Sequence, residues 1–179
     1  MRELETLIVS AYERGRQKRA LTLQLALACV ALPLALLNPW WVLGATLFTS
    51  LLLAGAWFLW RGLEWERGYV TGLMAGLVPL LLAICARPLG HGCDIQGHCY
   101  SWCMPACACG AAIAAYIVTR VARSVTHLRN FGLSAAVATV SVGGLGCACL
   151  SASGAVALII VYLATSVPAL LWLGFARAR

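Results

Sequence analysis

The chain has 179 residues, 62% of them hydrophobic and 11% charged, with a formal net charge of +7. That balance is far from a soluble domain's and excludes a large water-soluble core; the length suits one folded unit in lipid. The basic surplus does not argue for direct nucleic-acid binding, because its placement marks membrane topology and anionic-lipid contact instead.

Residues 1–19 form a separate segment. Met1, Leu4, Leu7, Ile8, Ala11 and Tyr12 recur at helical spacing, with Glu3, Glu5, Thr6, Ser10 and Glu13 opposite them. The spacing predicts a short amphipathic helix ahead of a basic anchor of Arg14, Arg16, Lys18 and Arg19. Such a helix either lies on the membrane surface or presents Leu4, Leu7, Ile8 and Tyr12 to the groove of a soluble partner.

Six apolar runs follow, at about 20–37, 41–60, 69–86, 104–122, 131–150 and 154–173. Each is near the ~20 residues that cross ~30 Å of hydrocarbon. They lack the period-two alternation of barrel strands, so residues 20–179 are expected to form an all-α membrane domain, a bundle of six transmembrane helices. The first run leads into Asn38-Pro39-Trp40-Trp41 without a small-x-small cleavage site, and is read as a span rather than a signal peptide. Cys29, midway along it, reads as a small core residue. Gly72 and Gly76 in the third run, and the Gly/Ala/Ser-rich fifth run, permit close backbone approach, which usually means packing within the bundle.

The ends of these runs differ in chemistry. Twelve of the 13 Lys and Arg residues fall in the N-terminal segment, around Arg61 and Arg67, around Arg120, Arg123 and Arg129, or in the tail at Arg177 and Arg179. The remaining one is Arg87. The positive-inside rule therefore puts both termini in the cytoplasm of a bacterial inner membrane. Trp40, Trp41 and Trp102 fall at the outer boundary, and Trp57, Trp60, Trp65 and Trp172 at the inner one.

Eight of the nine Cys lie at the opposite, outer ends. Cys85 ends the third run; Cys93, Cys99 and Cys103 occupy the connection 87–103; Cys107 and Cys109 begin the fourth run; Cys147 and Cys149 end the fifth. His91 and His98 share that connection, whereas His127 lies at the inner boundary. Cys103 and Cys107 are one helical turn apart, while Cys107 and Cys109 diverge, as do Cys147 and Cys149. A four-thiol site from one segment is thus unexpected, and a pair bridging the fourth and fifth runs is easier to build. Three chemistries fit such thiols: structural disulfides, a soft metal ion (Zn, Cu(I), Cd or Hg), or a redox pair that biases helix packing. The paired C-x2-C pattern of a zinc ribbon is absent, as are Walker, Rossmann, H-E-x-x-H and G-x-S-x-G patterns. The carboxylates are Glu3, Glu5, Glu13, Glu64, Glu66 and Asp94, none deep in a run, so neither an enzyme nor a proton-coupled carrier is expected.

Ser101-Trp102-Cys103-Met104-Pro105 and Gly143-Gly144-Leu145-Gly146-Cys147-Ala148-Cys149, set in a six-span plan, resemble the NrsF-type bacterial membrane anti-sigma factors, chiefly over residues 99–170. The resemblance implies a short cytoplasmic N-terminus that holds an extracytoplasmic-function sigma factor, released when metals or oxidants act on outward Cys. It carries the sensing role onto Cys103 and onto Cys147 or Cys149. The chain departs from that family in having more outward Cys than a two-thiol switch requires and no distinctive sigma-binding motif. An outward capture site also resembles that of the mercury-uptake membrane proteins, but a carrier needs ligands across the bilayer and Cys29 is the one mid-membrane sulfur apart from Met74 in the third run. A bundle stapled by structural disulfides is the third expectation.

Overall fold

The computed structural model describes residues 15, 18, 20–29, 32–33, 41–86, 91–93, 99–148 and 152–178, with side chains except at 41, 91–93, 99–101, 103, 148, 152–153 and 178. The protein is helical. Its helices are α1 (Ala20–Cys29), α2 (Trp41–Arg61), α3 (Leu63–Ala86), α4 (Cys103–Ala122), α5 (Leu128–Ala148) and α6 (Ala152–Ala178). All but α1 are long and apolar enough to cross a bilayer, which defines a multi-pass membrane protein. Of the first apolar run, the described part of α1 covers only ten residues. The amphipathic segment 1–12, with Leu4, Leu7, Ile8 and Tyr12, lies outside the described residues, as do His98 and Cys149.

Hydroxyl side chains in these helices bond back to the preceding turn, which satisfies them where water is absent. Thr46 donates to the Leu43 carbonyl (2.9 Å), Thr49 to Ala45 (2.8 Å) and Thr165 to Val161 (2.7 Å). Between α2 and α3, Gly62 adopts a φ of 68° and its N–H donates to the Phe58 carbonyl, closing α2 as a left-handed glycine cap.

α5 is the central helix and touches α2, α3, α4 and α6. Its C-terminal third, residues 141–147, is buried on every side. Small residues allow this. α3 presents Gly68, Gly72 and Gly76 to α5, and a Cβ on Gly76 would lie 2.9 Å from Val142 and 3.1 Å from the Thr139 carbonyl. The Thr139 hydroxyl donates to the Gly72 carbonyl (3.1 Å), and the hydroxyls of Ser50 and Ser141 meet at 3.0 Å across α2 and α5. The expected close approach at Gly72 and Gly76 is therefore a contact within one chain.

α1 docks through Ala20, Leu23 and Leu27, which pack against the cluster built on Leu51, Phe58, Tyr69 and Leu145. Gln24 on the same side donates to the Tyr69 hydroxyl (3.5 Å), which donates in turn to the Leu51 carbonyl (3.0 Å). Cys29 lies half a turn away from that face and is exposed. The expectation of a core thiol is corrected: the docking stripe runs through 20, 23, 24 and 27, and position 29 falls opposite it.

The described helix boundaries bear out the separation of ends. At one end, the Arg177 guanidinium donates to the carbonyls of Val125, Ala122 (2.9 Å) and Arg123 (2.6 Å), tying α6 to the end of α4. Beside it, Glu64 at the start of α3 accepts the Thr126 N–H (3.3 Å) and hydroxyl (2.7 Å). Trp57, Trp60 and Trp172 are exposed there, whereas Trp65 stacks on Phe58 with ring centres 5.3 Å apart and is half-buried. Arg61 sits over the Trp57 ring at 4.8 Å.

Candidate functional site

The other end of the bundle holds the thiols. α3 carries Pro79 near this end, and the neighbouring helices are notched to receive it. A Cβ on Gly110 of α4 would lie 2.6 Å from Pro79 Cα, and one on Gly143 of α5 would lie 2.7 Å from Pro79 Cγ. One residue further, Leu80 fills the space beside Gly146, with its Cα 2.9 Å from where a Cβ would stand. Glycine at these three positions lets α4 and α5 flank α3 around its proline.

One turn beyond the notches, Cys107 of α4 and Cys147 of α5 are joined as a disulfide, with Cα atoms 6.4 Å apart and a sequence separation of 40. Both side chains are fully buried. α4 leans mainly on α3 and α6, and its direct contact with α5 is slight, so the sulfur bridge supplies much of what joins the two helices at this level. Ala83 of α3 belongs to the same buried cluster as the bridge, and Pro79 and Leu80 sit against the glycines near it, so the bond closes a collar of α4 and α5 on α3.

The remaining thiols with described side chains are free. Cys85 at the end of α3, Cys109 on α4 and Cys29 on α1 are all exposed. The divergence of Cys107 and Cys109 expected from their spacing is thus realised, one buried and one facing outward. The bridging of the fourth and fifth runs is also realised, by Cys107 with Cys147. Cys103, one turn before Cys107, begins α4, and its side chain is outside those described.

The connection between α3 and α4 contains a β-hairpin that apolar periodicity does not reveal. β1 (His91–Cys93) and β2 (Cys99–Ser101) pair antiparallel, with His91 opposite Ser101, Gly92 opposite Tyr100 and Cys93 opposite Cys99. The signal for it was present, because Gly92-Cys93 and Cys99-Tyr100 flank a short polar stretch ending in Gly97. Among residues with described side chains, no three His, Cys, Asp or Glu groups converge as metal ligands.

No family model, curated protein or solved structure matches this chain.

Proposed function

We propose that the protein is a six-span inner-membrane anti-sigma factor, with both termini cytoplasmic, that senses soft metals or oxidative stress at its outward thiols. Ala20–Cys29 would begin the first of the six spans, ahead of the five long helices, and residues 1–19 would hold the sigma factor. The observation that carries this reading is the Cys107–Cys147 bridge closing the collar around Pro79. Bond formation there joins two helices that otherwise touch little, so their packing on α3 depends on the state of the thiols.

α3 supplies a route to the opposite end. Its outer part lies in the collar, and its inner part carries Tyr69, whose hydroxyl receives the α1 residue Gln24. α1 leads directly back to the N-terminal segment. Opening or closing the collar shifts α3 relative to α1 and alters how Leu4, Leu7, Ile8 and Tyr12 are presented. In this scheme the bridged state releases the partner and the open state retains it. To move a partner from 99% bound to 99% released, the thiol event must supply about 5.5 kcal/mol of differential stability. Metal–thiolate chemistry reaches this scale, whereas a disulfide, worth about 2–4 kcal/mol, supplies a smaller shift.

Complete burial of both bridge sulfurs favours a second reading, a structural disulfide with no signalling role. Affinity purification from native membranes separates the two. With the signalling reading, a sigma factor co-purifies from unstressed cells and is lost after cadmium, and C107A/C147A keeps it in both samples. Loss from C107A/C147A identical to wild type would overturn the collar as the switch, and absence of any sigma factor at good yield would overturn the anti-sigma function.

A further inference from the structure

We infer that the Cys107–Cys147 bond is a kinetic latch: it is reduced only when the outer ends of the helices around it open, so the bridged state outlasts the signal that made it. Its consequence for signalling rests on the proposed function, while the chemistry of the bond stands by itself.

Four helices enclose the bond. Cys107 of α4 and Cys147 of α5 are both 0% exposed. They share one buried cluster with Ala83 of α3, Ala111 of α4, and Ala155 and Leu158 of α6. Leu158 also reaches into the collar, its Cδ1 2.8 Å from where a Cβ on Gly143 would stand. α3 and α6 thus close over a bond that joins α4 to α5.

Reduction needs what this packing denies. A reducing thiolate attacks one sulfur of the bridge, forms a mixed disulfide with it and expels the other cysteine as a thiolate. A second reductant thiolate then attacks the reductant sulfur of the mixed disulfide. That step frees the first cysteine and leaves the reductant as its own disulfide, and both cysteine thiolates take protons from water. The first attack brings a charged sulfur up to Cys107 or Cys147, and an unpaired charge is costly to bring into an apolar interior. Among residues with described side chains, every Lys, Arg, Glu and His lies at the opposite end, so none is placed to accompany it. Cys109 is exposed on the other side of α4 and is not placed to exchange with the bond from within.

The way in is local opening. Cys107 lies in the second turn of α4, and Cys147 is the last residue but one of α5. Helix ends open at far less cost than a whole bundle unfolds. Reduction then runs at the rate of an exposed disulfide multiplied by the small fraction of time the ends are open. That fraction is the same for every reductant, whatever its charge. In the proposed switch, the released state therefore persists after the oxidant has gone.

The test uses oxidised full-length protein in lipid nanodiscs, treated with dithiothreitol or with the anionic thiol mercaptoethanesulfonate. Samples are quenched in acid and alkylated, and the bond is followed by mass spectrometry, with a cystine peptide in the same buffer supplying the exposed rate. Both reductants are expected to act on the order of a hundredfold or more slowly than on the peptide, by a similar factor. L158A strips cover from the bond while leaving both cysteines, and should speed reduction at least about tenfold with either reagent. T126V, at the opposite end of the bundle, should leave the rate unchanged. Wild-type reduction at the peptide's rate would overturn the latch, and that measurement needs no variant. Protection against mercaptoethanesulfonate alone would show that dithiothreitol reaches the closed bond. Equal acceleration by L158A and T126V would show whole-bundle unfolding, and either result would overturn local opening. Absence of a sigma partner would leave these rates untouched, so the latch and the anti-sigma function fail separately.

Discussion

Replacing Cys107 and Cys147 by alanine removes the one covalent link between α4 and α5 among the described residues. Alanine is preferred to serine because both positions are fully buried, and a serine there would strand a hydroxyl. The bridge spans 40 residues. In the chain-entropy treatment a loop of that size is worth about 4 kcal/mol. That figure is an upper limit here, because unfolded α4 and α5 stay inserted in lipid and explore less space than a chain in water. A loss of about 2–4 kcal/mol is expected. Unfolding by sodium dodecyl sulfate in mixed micelles, followed by far-ultraviolet circular dichroism, measures it. Oxidised wild type should be the most stable form, reduced wild type should lose this increment, and C107A/C147A should match the reduced protein and ignore reductant. A C107A/C147A variant that still loses 2–4 kcal/mol on reduction would show that the stabilising bond lies elsewhere and refute the collar.

Three further substitutions probe the contacts along α3. G110A sets a methyl 2.6 Å from Pro79 Cα and should cost about 1–3 kcal/mol in the same assay, with unchanged stability contradicting the notch. Y69F removes the hydroxyl that joins Gln24 of α1 to Leu51 of α2; a loss of about 0.6–1.7 kcal/mol is expected, with faster proteolysis ahead of α1 as the more specific readout. T126V takes away the hydroxyl donor to Glu64, whose other carboxylate oxygen is buried without a partner among the described residues, and should cost about 1–3 kcal/mol. Its amide exchange should rise in residues 122–127, and wild-type protection there would contradict the clamp.

The long apolar runs made most of the helices legible, because their length and composition follow from bilayer thickness rather than from detailed packing. Their ends were less so. α3 begins at Leu63, six residues before the apolar run at 69, because Glu64 and Glu66 occupy its first turn and are polar yet helical. The separation of arginine and thiol ends was legible from charge and Cys position alone. The partner of each Cys was not, although Cys107 continues the buried stripe of Ala111, Ala114, Ala115, Val118 and Ala122 at helical spacing. That stripe distinguishes Cys107 from Cys109, and only the packing of α5 supplies Cys147 opposite it. The role of Pro79 was hidden for a similar reason: its notches are glycines on two other helices, brought together by the fold. Cys29 was misplaced because a mid-span position says nothing about which helix face meets the bundle.

In the proposed switch, the bond between Cys107 and Cys147 governs what the N-terminal segment holds. Its most direct test is to titrate native membranes through a series of thiol-redox buffers and measure, in each sample, the fraction of Cys107–Cys147 bridged by mass spectrometry and the amount of sigma factor retained. Retention should fall in proportion as the bridge forms and stay constant across the series in C107A/C147A. Retention that is independent of the bridged fraction in wild type would contradict it.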